Sequence, residues 1–184
     1  MPLVIKSTAF APNGAIPIKF TCEDDDLSPA LEWSGVPQGT KSLALIVDDP
    51  DAPDPKAPKM TYVHWVVYDI PPSVTRLDED GVPEGARLGV NDWKKPEYGG
   101  PCPPVGRHRY FFKVYALDAA LGDLGLPTKA GVEEAMIAIS PSIACAAEKL
   151  AFSTMDRPNA SRAAGFWFRW SSRSPNAYSS ISFG

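Results

Sequence analysis

The sequence has few cysteines and no long basic run. Its cysteines, Cys22, Cys102 and Cys145, form an odd and widely spaced set. Such a set indicates neither a disulfide framework nor a CxxC zinc site, so the sequence predicts reduced thiols. The longest basic run is the pair Lys94 and Lys95, and the net charge is −4. The chain therefore lacks the electrostatic footprint of a protein that binds nucleic acid or an anionic membrane.

Long apolar segments are also missing. No apolar stretch reaches the roughly 18 residues that a transmembrane helix needs. Three prolines interrupt the first 20 residues, where a signal peptide needs an unbroken apolar segment. We therefore expect a soluble, cytoplasmic protein that inserts into no membrane.

Proline is abundant, at 20 of 184 residues. Because proline is excluded from helix interiors and central strands, these residues divide the chain into short segments. The composition thus disfavours a helical bundle, a coiled coil and a regular βαβ array. The hydrophobic content of 44% is enough for one domain with a real core.

Runs rich in β-branched and aromatic residues dominate the first part of the chain. The two longest, TYVHWVVYD at 61–69 and HRYFFKVYAL at 108–117, are expected at the centre of a sheet. Shorter runs lie at 3–6, 16–20, 31–34 and 42–48. A helix-like pattern appears only after residue 130, in GVEEAMIAI and then in IACAAEKLAF. Many strands followed by late helices predict a mainly β, antiparallel domain with minor helices.

The composition changes near the C-terminal end. Residues 137–184 contain 10 of the 15 serines and carry a net charge of +3, whereas residues 1–136 carry −7. We interpret 137–184 as an atypical segment, a helix followed by an uncertain tail. The aromatic run FWFRW predicts either a buried final strand or an aggregation-prone tail. The break in composition also suggests an altered reading frame or an unusual terminus.

The chain has only two histidines, and each lies near the start of a long β run. Strand alternation places His64 on one face, with Val63 and Trp65 together on the other. It likewise places His108 on the face of Tyr110. For each histidine, a core imidazole satisfied by a backbone carbonyl is the alternative to a functional role.

Two proline-rich loops lie beside these runs. The acidic loop DDPDAPDP occupies 48–55, and YGGPCPPVG at 98–106 leads into His108. Proline stiffens both loops, and the glycine pair can offer backbone N–H groups to a ligand. An Asp beside an imidazole favours the protonated form, which donates to an anion. Together these features predict a rigid site for a phosphate-sized anion; separately, each loop also fits a solvated turn or a plain connector.

The segments LALIVDDPDAP, TYVHWVVYDIP and GGPCPPVGRHRYFFKVYAL resemble the phosphatidylethanolamine-binding protein family, in its bacterial and archaeal Raf-kinase-inhibitor-like branch. The resemblance covers residues 1–136 as one domain. It implies an antiparallel Greek-key β-sheet sandwich with one anion pocket. By position, the pocket residues are Asp49, Asp51, Pro53, His64, Gly100, Pro101, His108 and Tyr110.

The resemblance also implies ligands and partners. The ligands are phosphate or a phosphoethanolamine head group, and the partners are an unidentified protein, in some members a kinase, and a second copy of the chain in a homodimer. It implies no cofactor and no metal.

Three functions are compatible with these residues. The first is non-enzymatic binding of a phosphate-bearing or other small anion, because no GxSxG, P-loop or HExxH motif is present. The second is a hydrolase that uses His64, His108 and an Asp to hold a metal, or Cys102 as a nucleophile. The third is an interaction domain with a vestigial pocket, whose partner binds elsewhere through residues such as Arg107 and Arg109.

Overall fold

The computed structural model describes residues 1–140 and the backbone of residues 144–152. The described elements, in chain order, are β1 (Val4–Ser7), β2 (Gly14–Ala15), a 3₁₀ helix (Ile18–Phe20), β3 (Leu31–Ser34), β4 (Ser42–Ala52), β5 (Met60–Ile70), β6 (Arg76–Leu77), β7 (Arg87–Leu88), β8 (Arg109–Leu117), α1 (Lys129–Ile139) and β9 (Ala144–Phe152).

These strands form two sheets. The smaller sheet has the order β1-β3-β6, and the larger has the order β2-β9-β8-β4-β5-β7. Within the described chain every pairing is antiparallel except the two-residue pairing of β2 with β9. After the β4–β5 pairing the chain makes a long excursion and returns as β8 on the other side of β4. This confirms the expected antiparallel β fold.

The main core lies between the two sheets. Ile5 and Trp33 of the small sheet pack in one cluster with Leu45, Trp65 and Phe112 of the large sheet. The Trp33 indole also donates a hydrogen bond to the carbonyl of residue 74, at 2.8 Å, which satisfies its buried N–H. Burial of these large side chains is the main force that holds the sheets face to face.

Helix α1 covers the outer face of the large sheet. It begins after Thr128, whose hydroxyl accepts a hydrogen bond from the Gly131 amide and so caps the helix. Val132 and Met136 are its buried residues, and they pack against side chains of β4 and β5. Strand β4 is therefore covered on both faces, which explains why LALIV is continuously apolar rather than alternating.

The second helix-like run is a strand, so that prediction was wrong. Residues 144–152 form β9, which pairs along β8 from Arg109 to Ala116. Pairing with β8 overrides the local helical preference of an alanine-rich segment, because propensity is a weak determinant beside tertiary structure. The predictions for the serine-rich tail at 153–184 lie outside the described residues. No helix in the described chain is long and apolar enough to cross a membrane.

Candidate functional site

The end of β4 and the start of β8 bring Asp49 and His108 together. One carboxylate oxygen of Asp49 lies 2.6 Å from His108 Nδ1, and the other accepts the Asp51 amide at 2.7 Å. Both side chains are buried. Asp49 thus joins the acidic loop to His108, the residue just before β8, as the sequence predicts.

Each ring nitrogen of His108 lies next to a hydrogen-bond acceptor. Nε2 lies 3.0 Å from the Val105 carbonyl, opposite the Asp49 contact at Nδ1. Because a carbonyl and a carboxylate both accept, this arrangement fits an imidazolium that donates twice. Burial acts to lower the pKa of His108, but the hydrogen bond and charge of Asp49 outweigh it and raise the pKa above 6.5. A ligand can reach His108 Nε2 only by displacing the Val105 carbonyl.

The Asp51 carboxylate forms an ion pair with Arg109. The carboxylate accepts the Arg109 amide and Nε, each at 2.8 Å, and Nη2 at 2.5 Å. These hydrogen bonds lower the pKa of Asp51 below its ordinary 3.8, against the opposing effect of burial. Asp51 therefore fixes the start of β8 to the acidic loop and has little capacity left for a ligand.

A β-bulge places His64, contrary to the simple alternation expected from the sequence. In the pairing with β4, Val47 lies opposite Trp65 and Asp48 lies opposite Val63, so His64 is the extra residue. Trp65 packs in the core between the sheets, whereas Val63 packs in the cluster under α1. The prediction that Val63 and Trp65 share a face opposite His64 was therefore wrong.

The bulge directs His64 toward the aromatic residues of the site. Its ring lies 5.0 Å from the ring of Tyr110 and 5.1 Å from that of Trp93, both edge to face. Tyr62 completes the surround, with a centroid distance of 5.6 Å. On β8 the predicted alternation is confirmed: His108 and Tyr110 are buried, and Arg109 between them is partly exposed.

His64 is held neutral in one tautomer. Its Nδ1 lies 2.7 Å from the Gly99 carbonyl, and since a carbonyl only accepts, Nδ1 carries the hydrogen. Burial lowers the pKa of His64 below 6.5, with partial compensation from the Gly99 hydrogen bond and from nearby carboxylates. Nε2 is then an acceptor, and no residue in the described part of the chain donates to it.

The Tyr110 hydroxyl is buried without a hydrogen-bond partner. Among the described residues it is the one buried side-chain nitrogen or oxygen atom in this state, and Tyr110 is only 1% exposed. The Cys102 amide is directed toward it but does not form a hydrogen bond of normal geometry. Burial and the nearby Asp49 charge raise the pKa of Tyr110, so the hydroxyl keeps its proton. The Tyr110 hydroxyl can therefore donate a hydrogen bond to a ligand oxygen.

The glycine amides are not open to a ligand, which corrects the sequence interpretation. Gly99 donates to the His64 carbonyl at 3.0 Å, and Gly100 donates to Asp26 Oδ1 at 2.7 Å. A Cβ at Gly100 would clash with Asp26 and with the Phe20 carbonyl, so this position requires glycine. Gly100 and the buried Pro101 form part of the site's scaffold rather than donor groups.

The other predicted proline, Pro53, is exposed at the end of β4, after a cis peptide bond. Its neighbour Pro55 lies against Gly106, where an added Cβ would come within 3.2 Å of Cγ. The two proline-rich loops therefore meet, as expected, through Pro55 rather than through Pro53.

A third segment was missed by sequence reasoning. Residues 20–26 are fastened to residues 98–102 by a disulfide between Cys22 and Cys102, with Cα atoms 5.5 Å apart. The Tyr98 hydroxyl donates to the Phe20 carbonyl at 3.1 Å, and the Cys22 amide donates to the Pro101 carbonyl at 3.2 Å. The available signal was one cysteine in each segment, each beside a polar or proline-rich turn.

The disulfide contradicts the prediction of reduced thiols. The two cysteines are 80 residues apart in the chain, and spacing alone gives no measure of distance in space. Because its sulfur is bonded, Cys102 cannot supply the thiolate of the alternative Cys-based hydrolase.

The described residues also give little support to the metal-dependent alternative. They contain no group of three or more His, Cys, Asp or Glu side chains arranged to hold a metal ion. His108 already uses both nitrogens, so it has no lone pair for a metal without breaking a hydrogen bond. The proposed two-histidine, one-carboxylate arrangement does not form.

Two surface cavities lie away from this cluster. One of about 400 Å³ is lined by residues 73–78 and 81–83, and one of about 320 Å³ lies between β5 and the start of α1. Neither includes His64, His108 or Tyr110. His64 and Tyr110 are 3% and 1% exposed, so these two side chains lie almost entirely beneath the surface.

Comparison with known proteins identifies the family of this chain. The sequence pattern of the phosphatidylethanolamine-binding proteins matches residues 6–144. The chain belongs to the phosphatidylethanolamine-binding protein family. The matched range includes β4, β5 and β8, and it extends past residue 136 to the first residue of β9.

Archaeal and bacterial relatives of this phosphatidylethanolamine-binding protein family member share 46% of the aligned residues with it. A UPF0098 protein of Methanothermobacter thermautotrophicus is 46% identical over 137 residues, covering 72% of this chain and 87% of the relative. Another, from Aquifex aeolicus, is 46% identical over 143 residues, covering 74% and 80%.

Solved structures agree with the fold. A phosphatidylethanolamine-binding protein homologue from Chlamydia trachomatis has a TM-score of 0.75 and 37% identity, covering 85% of this chain and 99% of that one. Escherichia coli YbcL, presented as a member of the mammalian family, has a TM-score of 0.71 and 31% identity, covering 84% and 99%.

Proposed function

We propose that this protein binds a small anionic group, phosphate-bearing or carboxylate, at the Tyr110 hydroxyl and the open nitrogen of His64, and that it performs no chemistry on the ligand. The observation that carries the proposal is the buried Tyr110 hydroxyl without a partner. Leaving such a group unsatisfied costs about 1–3 kcal/mol. A ligand oxygen that accepts its hydrogen bond would remove this cost.

The charges around Tyr110 support an anion rather than a cation. The carboxylates of Asp49 and Asp51 are each matched by a cationic partner, His108 and Arg109 respectively. Neither carboxylate then presents an uncompensated negative charge to an entering anion. These pairs also fix the two loops, so the Tyr110 hydroxyl is held in place before a ligand arrives.

Binding without catalysis agrees with the groups that are present. A nucleophile needs an adjacent base, but Cys102 is in a disulfide and His108 has both nitrogens occupied.

A signal passed to a protein partner on ligand binding, and a homodimeric assembly, belong to the same proposal. So does a cytoplasmic location, although a persistent disulfide favours an oxidising compartment.

The test combines ligand titration with two tyrosine substitutions. Inorganic phosphate and phosphoethanolamine are titrated by calorimetry into the wild-type protein, Tyr110→Phe and Tyr98→Phe. We expect Tyr110→Phe to weaken binding at least about tenfold, because a hydrogen bond to a charged group is worth about 1.5–3 kcal/mol. Its free energy of unfolding should stay the same or rise slightly, because the lost hydroxyl has no partner in the unliganded protein.

Tyr98→Phe is the matched control. The Tyr98 hydroxyl donates to the Phe20 carbonyl, so its loss should destabilise the fold by about 1 kcal/mol while leaving affinity within about threefold. Wild-type affinity in Tyr110→Phe would contradict the proposed contact. Absence of saturable binding to the wild type at millimolar ligand would contradict the proposed function.

A further inference from the structure

The Tyr110 hydroxyl and His64 Nε2 have different hydrogen-bonding requirements for a ligand. Tyr110 offers a hydrogen, while His64 offers a lone pair at Nε2, because its hydrogen is committed at Nδ1 to the Gly99 carbonyl. A ligand that satisfies both must accept one hydrogen bond and donate another. This requirement concerns the protonation state of the ligand and rests on the proposed function.

The tautomer of His64 is fixed by the backbone of Gly99, which forms two hydrogen bonds with His64. The Gly99 amide returns a hydrogen bond to the His64 carbonyl, so Gly99 and His64 are doubly joined. Gly100, the next residue, is fixed by Asp26 at 2.7 Å. Exchanging the tautomer would set Nδ1 and the Gly99 carbonyl oxygen, two acceptors, 2.7 Å apart.

The surroundings of His64 also oppose its protonation. Its ring is packed by Tyr62 from β5, by Trp93 from the loop between β7 and β8, and by Tyr110 from β8. The charged groups that face it are Asp48 and Asp49 on β4 and Asp92 on the loop. Asp48 is paired with Lys113 and Lys129, Asp49 is paired with His108, and the Asp92 carboxylate accepts the amide of residue 63. Burial of the His64 ring outweighs the charge of these three carboxylates, so the pKa of His64 stays below its ordinary value.

A fully ionised anion satisfies only half of this site. A phosphate dianion, a sulfate or a phosphodiester has oxygens that accept from Tyr110 but no acidic hydrogen for Nε2, so lone pair would face lone pair. The monoanion of a phosphomonoester carries both a P–O⁻ and a P–OH. We infer that the site selects phosphate groups that carry a proton, preferring the monoanion of a phosphomonoester to its dianion, to a phosphodiester and to sulfate.

Three probes separate this selectivity from anion binding in general. Methyl phosphate, dimethyl phosphate and sulfate are titrated into the full chain at pH 5.5 and pH 7.5. With a second phosphate pKa near 6, the monoanion fraction of methyl phosphate falls about 25-fold over this interval. We expect a matching loss of methyl phosphate affinity, and at pH 5.5 we expect both other probes to bind at least about tenfold more weakly.

Sulfate is the control for the protein's own titration. It gains no proton in this range, so its affinity changes with pH only through groups such as His108. A change for methyl phosphate no larger than that for sulfate would overturn the inference. So would equal affinity of all three probes at pH 5.5, although the proposed function would then stand. If none of the probes binds at millimolar concentration, the proposed function fails as well.

Nitrogen NMR and one substitution locate the selectivity at His64. In the methyl phosphate complex, the His64 ring should stay neutral with its hydrogen on Nδ1; a doubly protonated ring would overturn the inference. In His64→Gln, the amide group can donate, so the preference for methyl phosphate over sulfate should fall at least about fivefold. Undiminished preference in this folded variant would contradict the assignment to His64.

Discussion

At the scale of single residues, the Asp49–His108 pair makes the stability of the fold depend on pH. His108 has a raised pKa, so its contribution to stability is fully present below its unfolded value of about 6.5 and is lost as pH rises through the folded pKa. His64, with a lowered pKa, acts in the opposite sense: it reduces stability as pH falls below about 6.5. The two histidines therefore have opposing effects on the pH profile.

Asp49→Asn should separate these effects. Removing the carboxylate charge leaves His108 with mainly the influence of burial, so we expect its pKa to fall and the stabilisation on the acid side to disappear. Histidine NMR titration measures the pKa, and urea unfolding between pH 5.5 and 8.5 measures the stability. The exposed Asp78→Asn is the control, because its surface pair with Arg76 should contribute little. A wild-type His108 that titrates below 6.5 would contradict this account.

Residue identity was easier to predict than residue orientation. The sequence named both histidines, Tyr110 and the carboxylates as candidates, and alternation placed Tyr110 correctly on the buried face of β8. Alternation failed at His64, because the extra residue of a bulge exchanges the two faces for the strand residues beyond it. The partners of Gly100 and Asp51 were likewise hidden, because they come from segments distant in the chain.

At the scale of elements, the Cys22–Cys102 bond fastens one loop of the site to another. It lies among three hydrogen bonds between the same two segments, from Tyr98, Cys22 and Gly100. The second segment also carries Gly99, which fixes the His64 tautomer. The disulfide therefore supports the site through the loop rather than by touching a ligand.

Replacing both cysteines with serine should lower the free energy of unfolding by roughly 4 kcal/mol, the chain-entropy value for a loop of this length. Urea denaturation of the double variant against the wild type measures the loss. Thiol titration of the denatured, unreduced wild-type protein should find one reactive thiol, from Cys145, rather than three. Three thiols in protein purified without reductant would show that the bond does not form.

At the scale of the whole molecule, the central strands are covered on every side. Strand β8 lies between β4 and β9, and β4 lies between β8 and β5, with the small sheet on one face and α1 on the other. The site sits where β4 ends and β8 begins, at the rim of this covered region. Its groups therefore inherit rigidity from the core while remaining next to loops.

Amide hydrogen exchange tests this arrangement. Amides throughout β4 and β8 should exchange most slowly, including the alternate amides of β8 that face β9, while the edge strands β1 and β6 should exchange faster. Fast exchange of every second amide in β8 would show that residues 144–152 do not pair with it, as a helix in that segment would require. Heteronuclear NMR in D₂O resolves these alternating positions.

By itself, the sequence determined the fold class and the family and named the residues of the candidate site, because alternation, proline placement and the two loop motifs are local properties of the chain. The tertiary structure decided what is joined to what: β9 in place of a helix, the disulfide in place of free thiols, and glycine amides already bonded within the protein. It also left one tyrosine hydroxyl unpaired. These outcomes depend on distances between residues far apart in the chain, and such distances exist only after the sheets have packed.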